Sequence, residues 1–274
     1  MSASPPPPTW TPTMAERLSE LLALFKLTTI SDEFEKRLVA AGHRDALPTV
    51  LELLEMEAHE RRLRKVRRLL NASKLPPTKT FDTLKENKFP RELVQKFREL
   101  ASGAFLERTT NVLAFGLPGT GKSHVAAALG HALVHKGHSV LFIPTFQLVQ
   151  ELLVAKRDLV LPRALRRLDA FELIVCDDLG YVQQSADEVE VLFTFMAERY
   201  ERRSLLITSN LVFSDWNRIF KNPMTTAAAI DRVVHHSVIL EFSGIKSFRA
   251  DDAGQAQKKS KKGSEPPPTE TTPS

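Results

Sequence analysis

The chain has 274 residues and a single cysteine, Cys176, so no internal disulfide can form. A lone thiol fits a reducing cytosol. No apolar run approaches the ~20 residues that a membrane helix needs. The proline-rich start, residues 2–12, lacks the basic-then-apolar pattern of a secretion signal. The expectation is therefore a cytoplasmic protein without a membrane partner. Internal repeats are also absent. What is present is a hydrophobic fraction of 42%, enough for a substantial core, and a formal net charge of +5. That charge mildly favours a polyanionic partner such as nucleic acid.

Residues 1–13 are proline-rich and aperiodic. Residues 250–274 are mostly lysine, serine, glutamine, proline and threonine. Neither segment has the apolar surface to offset the entropy of ordering, so both are expected to be disordered tails. Residues 14–75 read as a helical N-terminal domain. Leu18, Leu21, Leu22 and Phe25 recur at helical spacing, and Phe34, Leu38 and Val39 mark a second helix ending near Gly42. A third runs from about Pro48 to Asn71 on the stripe Leu51, Leu54, Leu63, Val66 and Leu70, and is stopped by Pro76-Pro77. Residues 76–90 form a linker, and a helix over residues 91–105 opens the larger domain, residues 91–249. There, apolar runs at 112–115, 140–143, 173–177, 205–208 and 238–242 alternate with helical stretches. This pattern implies an α/β fold, a five-stranded, mostly parallel sheet between helices. Cys176 falls inside the third run, where it should be a small buried filler.

Gly116-Leu117-Pro118-Gly119-Thr120-Gly121-Lys122-Ser123 fits G-x-x-x-x-G-K-[ST] and lies between a strand and a helix. Glycines let the backbone wrap a phosphate without Cβ clashes, and the exposed N–H groups and helix N-terminus face the anion. Lys122 would reach the β- and γ-phosphates of ATP, and the Ser123 hydroxyl would ligate Mg²⁺. The third apolar run ends in Asp177 and Asp178. An acid at the C-terminal end of a strand meets the phosphate loop at one sheet edge. Asp177 is placed to hold Mg²⁺ through its water shell, and Asp178 to orient or deprotonate the attacking water. The fourth run ends in Thr208-Ser209-Asn210, and Asn210 is positioned to hydrogen-bond that water or the γ-phosphate. Arg232 reads either as a donor to a neighbouring subunit's nucleotide or as half of a surface Asp231–Arg232 pair. Arg249 follows the final strand and could sense the same phosphates in cis.

Taken in order, the phosphate loop with His124, Cys-Asp-Asp-Leu-Gly-Tyr (176–181), the segment 198–210 and Ile-Asp-Arg-Val-Val-His-His (230–236) resemble the IstB-like ATP-binding proteins. These are AAA+ ATPases similar to the helicase loader DnaC, and they are the helper ATPases of a class of bacterial insertion sequences. The likeness spans nearly all of residues 14–249. It implies that residues 116–124 bind ATP, that Lys122 and Ser123 are the Walker A pair, and that Asp177 and Asp178 are the Walker B acids. It further implies that Asn210 is sensor 1, Arg232 the arginine finger and Arg249 the sensor 2 arginine. It also implies ATP-dependent homo-oligomers that engage duplex DNA and a transposase encoded by the same element. Leu117 stands where proline is common, Phe248 where tyrosine is common, and Asp178 where many AAA+ proteins carry glutamate. With little chain beyond Arg249, the helical lid is expected to be truncated or absent. His235 and His236 belong to the family's pattern, without an assigned chemistry.

Arg61, Arg62, Arg64, Lys65, Arg67, Arg68 and Lys74 occur in a stretch with no acid. If Leu63, Val66 and Leu70 face a core, most of these charges face outward. With few aromatics among them, phosphate contact rather than base stacking is expected. Arg163, Arg166 and Arg167 form a second basic stretch. Binding through such groups should be largely non-specific, with a log–log salt slope of roughly −0.9 per phosphate neutralised. His131 and His135 share a helix face, but no third ligand accompanies them. The expected function is an ATP-dependent, DNA-binding helper of transposition. A helicase loader and a nucleotide-gated scaffold with incidental hydrolysis are the alternatives.

Overall fold

The computed structural model describes residues 10–180, 185–216, 219, 223–245 and 247–248. The chain divides into two compact units, Met1–Arg68 and Leu69–Ser274. The division falls inside a helix, before the Leu75 end expected for the first domain.

In the first unit, α1 (Pro12–Leu24) starts earlier than the proline-rich tail suggested. Thr11 caps it, its hydroxyl accepting from the Met14 N–H at 3.3 Å, and Pro12 supplies a pre-set φ in the first turn. Helix α2 spans Thr28–Ala40 and α3 spans Leu47–Ser73. Leu18, Leu21, Leu22, Leu47 and Leu51 are buried together, with Trp10, Phe34, Leu38 and Leu54 packed against them. The end of α3 is not set by Pro76-Pro77. Lys74 turns left-handed at φ 54°, and Ser73 Oγ donates to Leu70 O at 2.7 Å while accepting from the Leu75 N–H at 3.2 Å. A local cap thus closes the helix before the prolines.

The second unit holds the sheet. Its strands are β1 (Asn111–Phe115), β2 (Val140–Pro144), β3 (Leu173–Leu179), β4 (Ser204–Ser209) and β5 (Ser237–Glu241), in the order β2-β3-β4-β1-β5 and all parallel. Helices α6 (Lys122–His135), α7 (Thr145–Arg157), α8 (Leu161–Asp169), α9 (Ala186–Arg199) and α10 (Pro223–Val234) complete the alternation. β1 and β4 are buried at every position, and β5, an edge strand, is only half covered. The single helix expected over 91–105 is two, α4 (Arg91–Ala101) and α5 (Ala104–Glu107). Gly103 at φ +90° separates them, a conformation that ends a helix and suits glycine.

One buried cation ties this unit together. Arg199, at the end of α9, is 2% exposed and donates to the carbonyls of Leu168 at 3.0 Å, Phe171 at 3.0 Å and Ser204 at 3.1 Å. It thereby joins the end of α8, the turn before β3 and the start of β4. Burial pulls its guanidinium pKa down to about 10, so it remains charged at neutral pH. Cys176 is fully buried in β3, and burial pushes its thiol up to about 12.

Candidate nucleotide site

The sheet order explains the site. β4 lies between β3 and β1, so the loop after β1, the acids at the end of β3 and the polar end of β4 meet at one edge. A cleft of about 630 Å³ opens there, walled by Pro118, Gly119, Gly121, Lys122, Ser123, His124, Asp177, Asp178 and Asn210. Those residues come from three chain segments that the sequence separates widely.

The phosphate loop leaves β1 through Gly116 at φ +154°, where a Cβ would sit 2.6 Å from Phe242 Cβ, so no larger residue fits. Lys122 opens α6, is 5% exposed, and its Nζ donates to Gly116 O at 2.7 Å and Leu117 O at 2.9 Å. Thr120 Oγ1 donates to Leu117 O at 2.8 Å. Gly116, Leu117 and Thr120 therefore shape the loop by hydrogen bonding rather than by walling the cleft. The Leu117 side chain points to solvent, so its departure from proline leaves the backbone acceptor intact.

At the end of β3 the ladder changes register. Cys176 pairs with Ile207, then Leu179 pairs with Ser209, so two residues of β3 oppose Thr208 alone. This is a β-bulge, a device that re-aims side chains beside functional sites. Asp178 takes φ +58°, a left-handed conformation disfavoured for a residue with a Cβ. Asp177 is 8% exposed and Asp178 is open to solvent. Thr208 Oγ1 donates to Asp177 Oδ1 at 2.6 Å and accepts from the Asp178 N–H at 2.9 Å. Thr145, at the start of α7, donates from Oγ1 to Asp177 O at 3.0 Å. Next in line, Asn210 Oδ1 is buried in the cleft wall without a hydrogen-bond partner among the described residues, as a group awaiting a ligand or water would be.

The donor set suits ATP with Mg²⁺. Glycine N–H groups, Lys122 and a helix N-terminus match a polyphosphate. Ser123 and Asp177 offer hydroxyl and carboxylate oxygens, the hard ligands that a largely hydrated Mg²⁺ accepts.

Other wall residues were given no role by the sequence. Lys79, Thr83, Leu84 and Lys85 come from the segment read only as a linker, and Phe248 from beyond β5. His124 Nε2 lies 3.1 Å from Thr83 Oγ1 and 3.0 Å from Thr80 O, which fastens the linker to α6. The Phe248 N–H donates to Gly119 O at 2.9 Å, and its ring packs on Phe89 with Lys88 above it at 4.6 Å. His131 Nε2 lies 3.0 Å from Pro76 O, another tie to the linker.

The remaining candidates stand apart from the cleft. Arg232, on α10, rests over the Phe193 ring at 4.7 Å and donates weakly to Ala228 O at 3.4 Å, with no ion pair to Asp231. His235 and His236 are exposed and touch edge-on at 4.3 Å. Arg249, and any lid after it, lie outside the described residues. Arg163, Arg166 and Arg167 are exposed on α8. In the first unit, Arg62, Lys65, Arg67 and Arg68 are exposed on α3, but Arg61 and Arg64 are not simply bare charges. Both pair with Glu57 one or two turns back, at 2.6 and 3.1 Å, and Arg61 also stacks on Phe25 at 4.3 Å. Leu63 is 45% exposed, so it does not hold the helix to a core as its spacing suggested. The apolar stripe fades along α3, where Val66 and Leu70 are only half-buried.

No helix among the described residues is long and apolar enough to cross a membrane. The fold is that of AAA+ P-loop proteins. Solved structures of DnaI (TM-score 0.51, 18% identity, 64% of this chain and 93% of that one) and of the DnaC helicase loader (TM-score 0.51, 19% identity, 65% and 99%) share it. Over 207 residues the chain is 43% identical to an insertion-sequence ATP-binding protein of Sinorhizobium fredii (strain NBRC 101917 / NGR234), covering 75% of this chain and 69% of that one. It is 34% identical over 244 residues to the ATP-binding protein of insertion sequence IS21 from Pseudomonas aeruginosa, covering 87% and 91%. The model of the IstB-like ATP binding protein family matches residues 21–256. A phosphate loop, two strand-end acids and an asparagine meeting in one cleft fit that match, and the chain belongs to the IstB-like ATP binding protein family.

Proposed function

We propose that this protein is a Mg²⁺-dependent ATPase that assembles on duplex DNA and presents it to a transposase encoded by the same element. The observation that carries the reading is the convergence of Lys122, Ser123, Asp177, Asp178 and Asn210 in one cleft. Lys122, now donating to its own loop carbonyls, exchanges those acceptors for phosphate oxygens when ATP enters. Ser123 and Asp177 would hold Mg²⁺, which would supply neutralisation of the charge on the transferred phosphate. Asn210 orients a water in line with the γ-phosphorus. As the water oxygen bonds to phosphorus, the bond to the β–γ bridging oxygen breaks and the water's proton passes to Asp178. Arg232, which does not line its own cleft, serves the nucleotide of a neighbouring subunit, which makes hydrolysis depend on assembly. The exposed arginines and lysines of α3 and α8 contact DNA phosphates.

The names of the similar proteins point to insertion sequences, which supports transposition over helicase loading. A transposase gene beside this one, within inverted terminal repeats, is the genomic observation that tests that choice. The biochemical test is ATP hydrolysis with and without duplex DNA, alongside the mass in solution. Hydrolysis that rises with DNA and accompanies assembly is expected. Tight ATP binding and assembly without turnover would leave a nucleotide-gated scaffold, in which Asp178→Asn would change nothing.

A further inference from the structure

We infer that Thr208 is the positioning residue of the hydrolytic site. Its one hydroxyl sets both aspartates of β3. The inference rests on the ATPase reading above and gives a role to a residue that had none from the sequence and that lies outside the cleft wall.

Thr208 is fully buried in β4 and contributes nothing to the cleft surface. Its oxygen is committed in two directions. A carboxylate only accepts, and a backbone N–H only donates. The Thr208 proton must therefore point at Asp177 Oδ1, 2.6 Å away, while the oxygen's lone pair receives the Asp178 N–H at 2.9 Å. The hydroxyl has no rotational freedom left. Few side chains could replace it. Valine copies the shape but neither bond. Asparagine and aspartate are longer and would need space in a strand buried at every position. Serine keeps the chemistry with one methyl fewer.

The two bonds do different things. The first occupies Oδ1 of Asp177 and fixes the carboxylate's rotation. Among the described residues, Oδ2 carries no hydrogen bond and is left for the water shell of the metal. The second holds the extra residue of the bulge, Asp178, at φ +58°, so that its side chain enters the cleft at the ladder's break. Without the hydroxyl, the Asp178 N–H loses its acceptor and the left-handed turn loses a restraint. Asn210 directly follows the last residue of the same strand. One element thus carries the asparagine and the hydroxyl that aims the two acids, and a shift of β4 would move all three together.

The test uses the full-length chain and Thr208→Val, Thr208→Ser and Thr208→Cys. A fluorescent ATP analogue reports nucleotide affinity in EDTA and along a Mg²⁺ titration. Steady-state hydrolysis, with duplex DNA present, gives kcat and KM. For Thr208→Val, affinity in EDTA should stay within about 2-fold of the parent. The Mg²⁺ midpoint should rise about 10-fold or more, and kcat should fall about 10–100-fold with KM little changed, as for other outer-shell partners of metal ligands. Thr208→Ser should restore both to within about 3-fold. Should Thr208→Val fail to fold, Thr208→Cys carries the same prediction, because a thiol is a weak donor and acceptor. An unchanged Mg²⁺ midpoint and kcat would overturn the inference. So would an equal loss of affinity in EDTA, which would mark a general loosening of the site, or a failure of serine to rescue. If the parent protein shows no turnover under any condition, the ATPase reading fails, and the Mg²⁺ midpoint still decides the role of Thr208.

Discussion

The cleft and the basic face of α3 are both built from charged side chains, but they hold them differently. In the cleft the charged groups are held by hydrogen bonds. Lys122 is held by the loop, Asp177 by Thr208 from a neighbouring strand, and the linker is pinned to α6 by His124. On α3 the arginines and lysines follow one another along a single helix. Except where Arg61 and Arg64 meet Glu57, they stand in solvent. A sheet edge gathers distant residues into one geometry, whereas a helix surface only displays neighbours. Single substitutions should therefore be severe in the first region and mild but cumulative in the second.

The largest expected effect is at the cleft. Lys122→Ala should lower turnover by at least about 10²-fold, the scale for removing one preorganised charge donor, and weaken nucleotide binding measured by calorimetry. A variant with normal turnover would remove the contrast altogether. Arg199 tests whether buried charge in this unit is equally unforgiving. Arg199→Leu strands three carbonyls and should cost about 2–4 kcal/mol in denaturant unfolding. A loss under about 1 kcal/mol would show that the carbonyls find water instead.

For α3 the prediction is graded. Each of Arg62→Ala, Lys65→Ala, Arg67→Ala and Arg68→Ala should weaken DNA binding modestly. The combined variant should flatten the log–log salt dependence by roughly 0.9 for each phosphate it no longer neutralises. ATP binding in the absence of DNA should be unaffected. A slope unchanged in the combined variant would move the DNA-binding face to α8 or elsewhere. The smallest effect concerns Cys176. With its thiol raised to about 12 by burial, it should resist iodoacetamide at pH 8 in the native state and react only on unfolding, as read by mass spectrometry. Rapid alkylation of the folded protein would mean that β3 opens more readily than its packing suggests.

Some of this was legible in the residues because it is local. The phosphate loop is contiguous, and a strand followed by two acids is readable as a pattern. The alternation of apolar runs indicated the layers of the α/β unit. Local patterns misled where a single dihedral decided the outcome. Gly103 broke one expected helix, and Lys74 ended α3 ahead of the prolines expected to stop it. Periodicity also placed Leu63 on a core face, although a helix pattern only says which residues share a side and not whether anything covers it.

The amino-acid order alone was enough to specify the chemistry available, namely a lysine and serine at a glycine-rich turn and two aspartates and an asparagine at strand ends. It could not specify that β4 inserts between β1 and β3, because strand order is set by how helices cross over and pack, not by the strands' own composition. That insertion puts Thr208 opposite both aspartates and Asn210 beside the phosphate loop. The tertiary structure therefore decided which polar groups meet. Those relations depend on separations of about 3 Å between residues far apart in the chain.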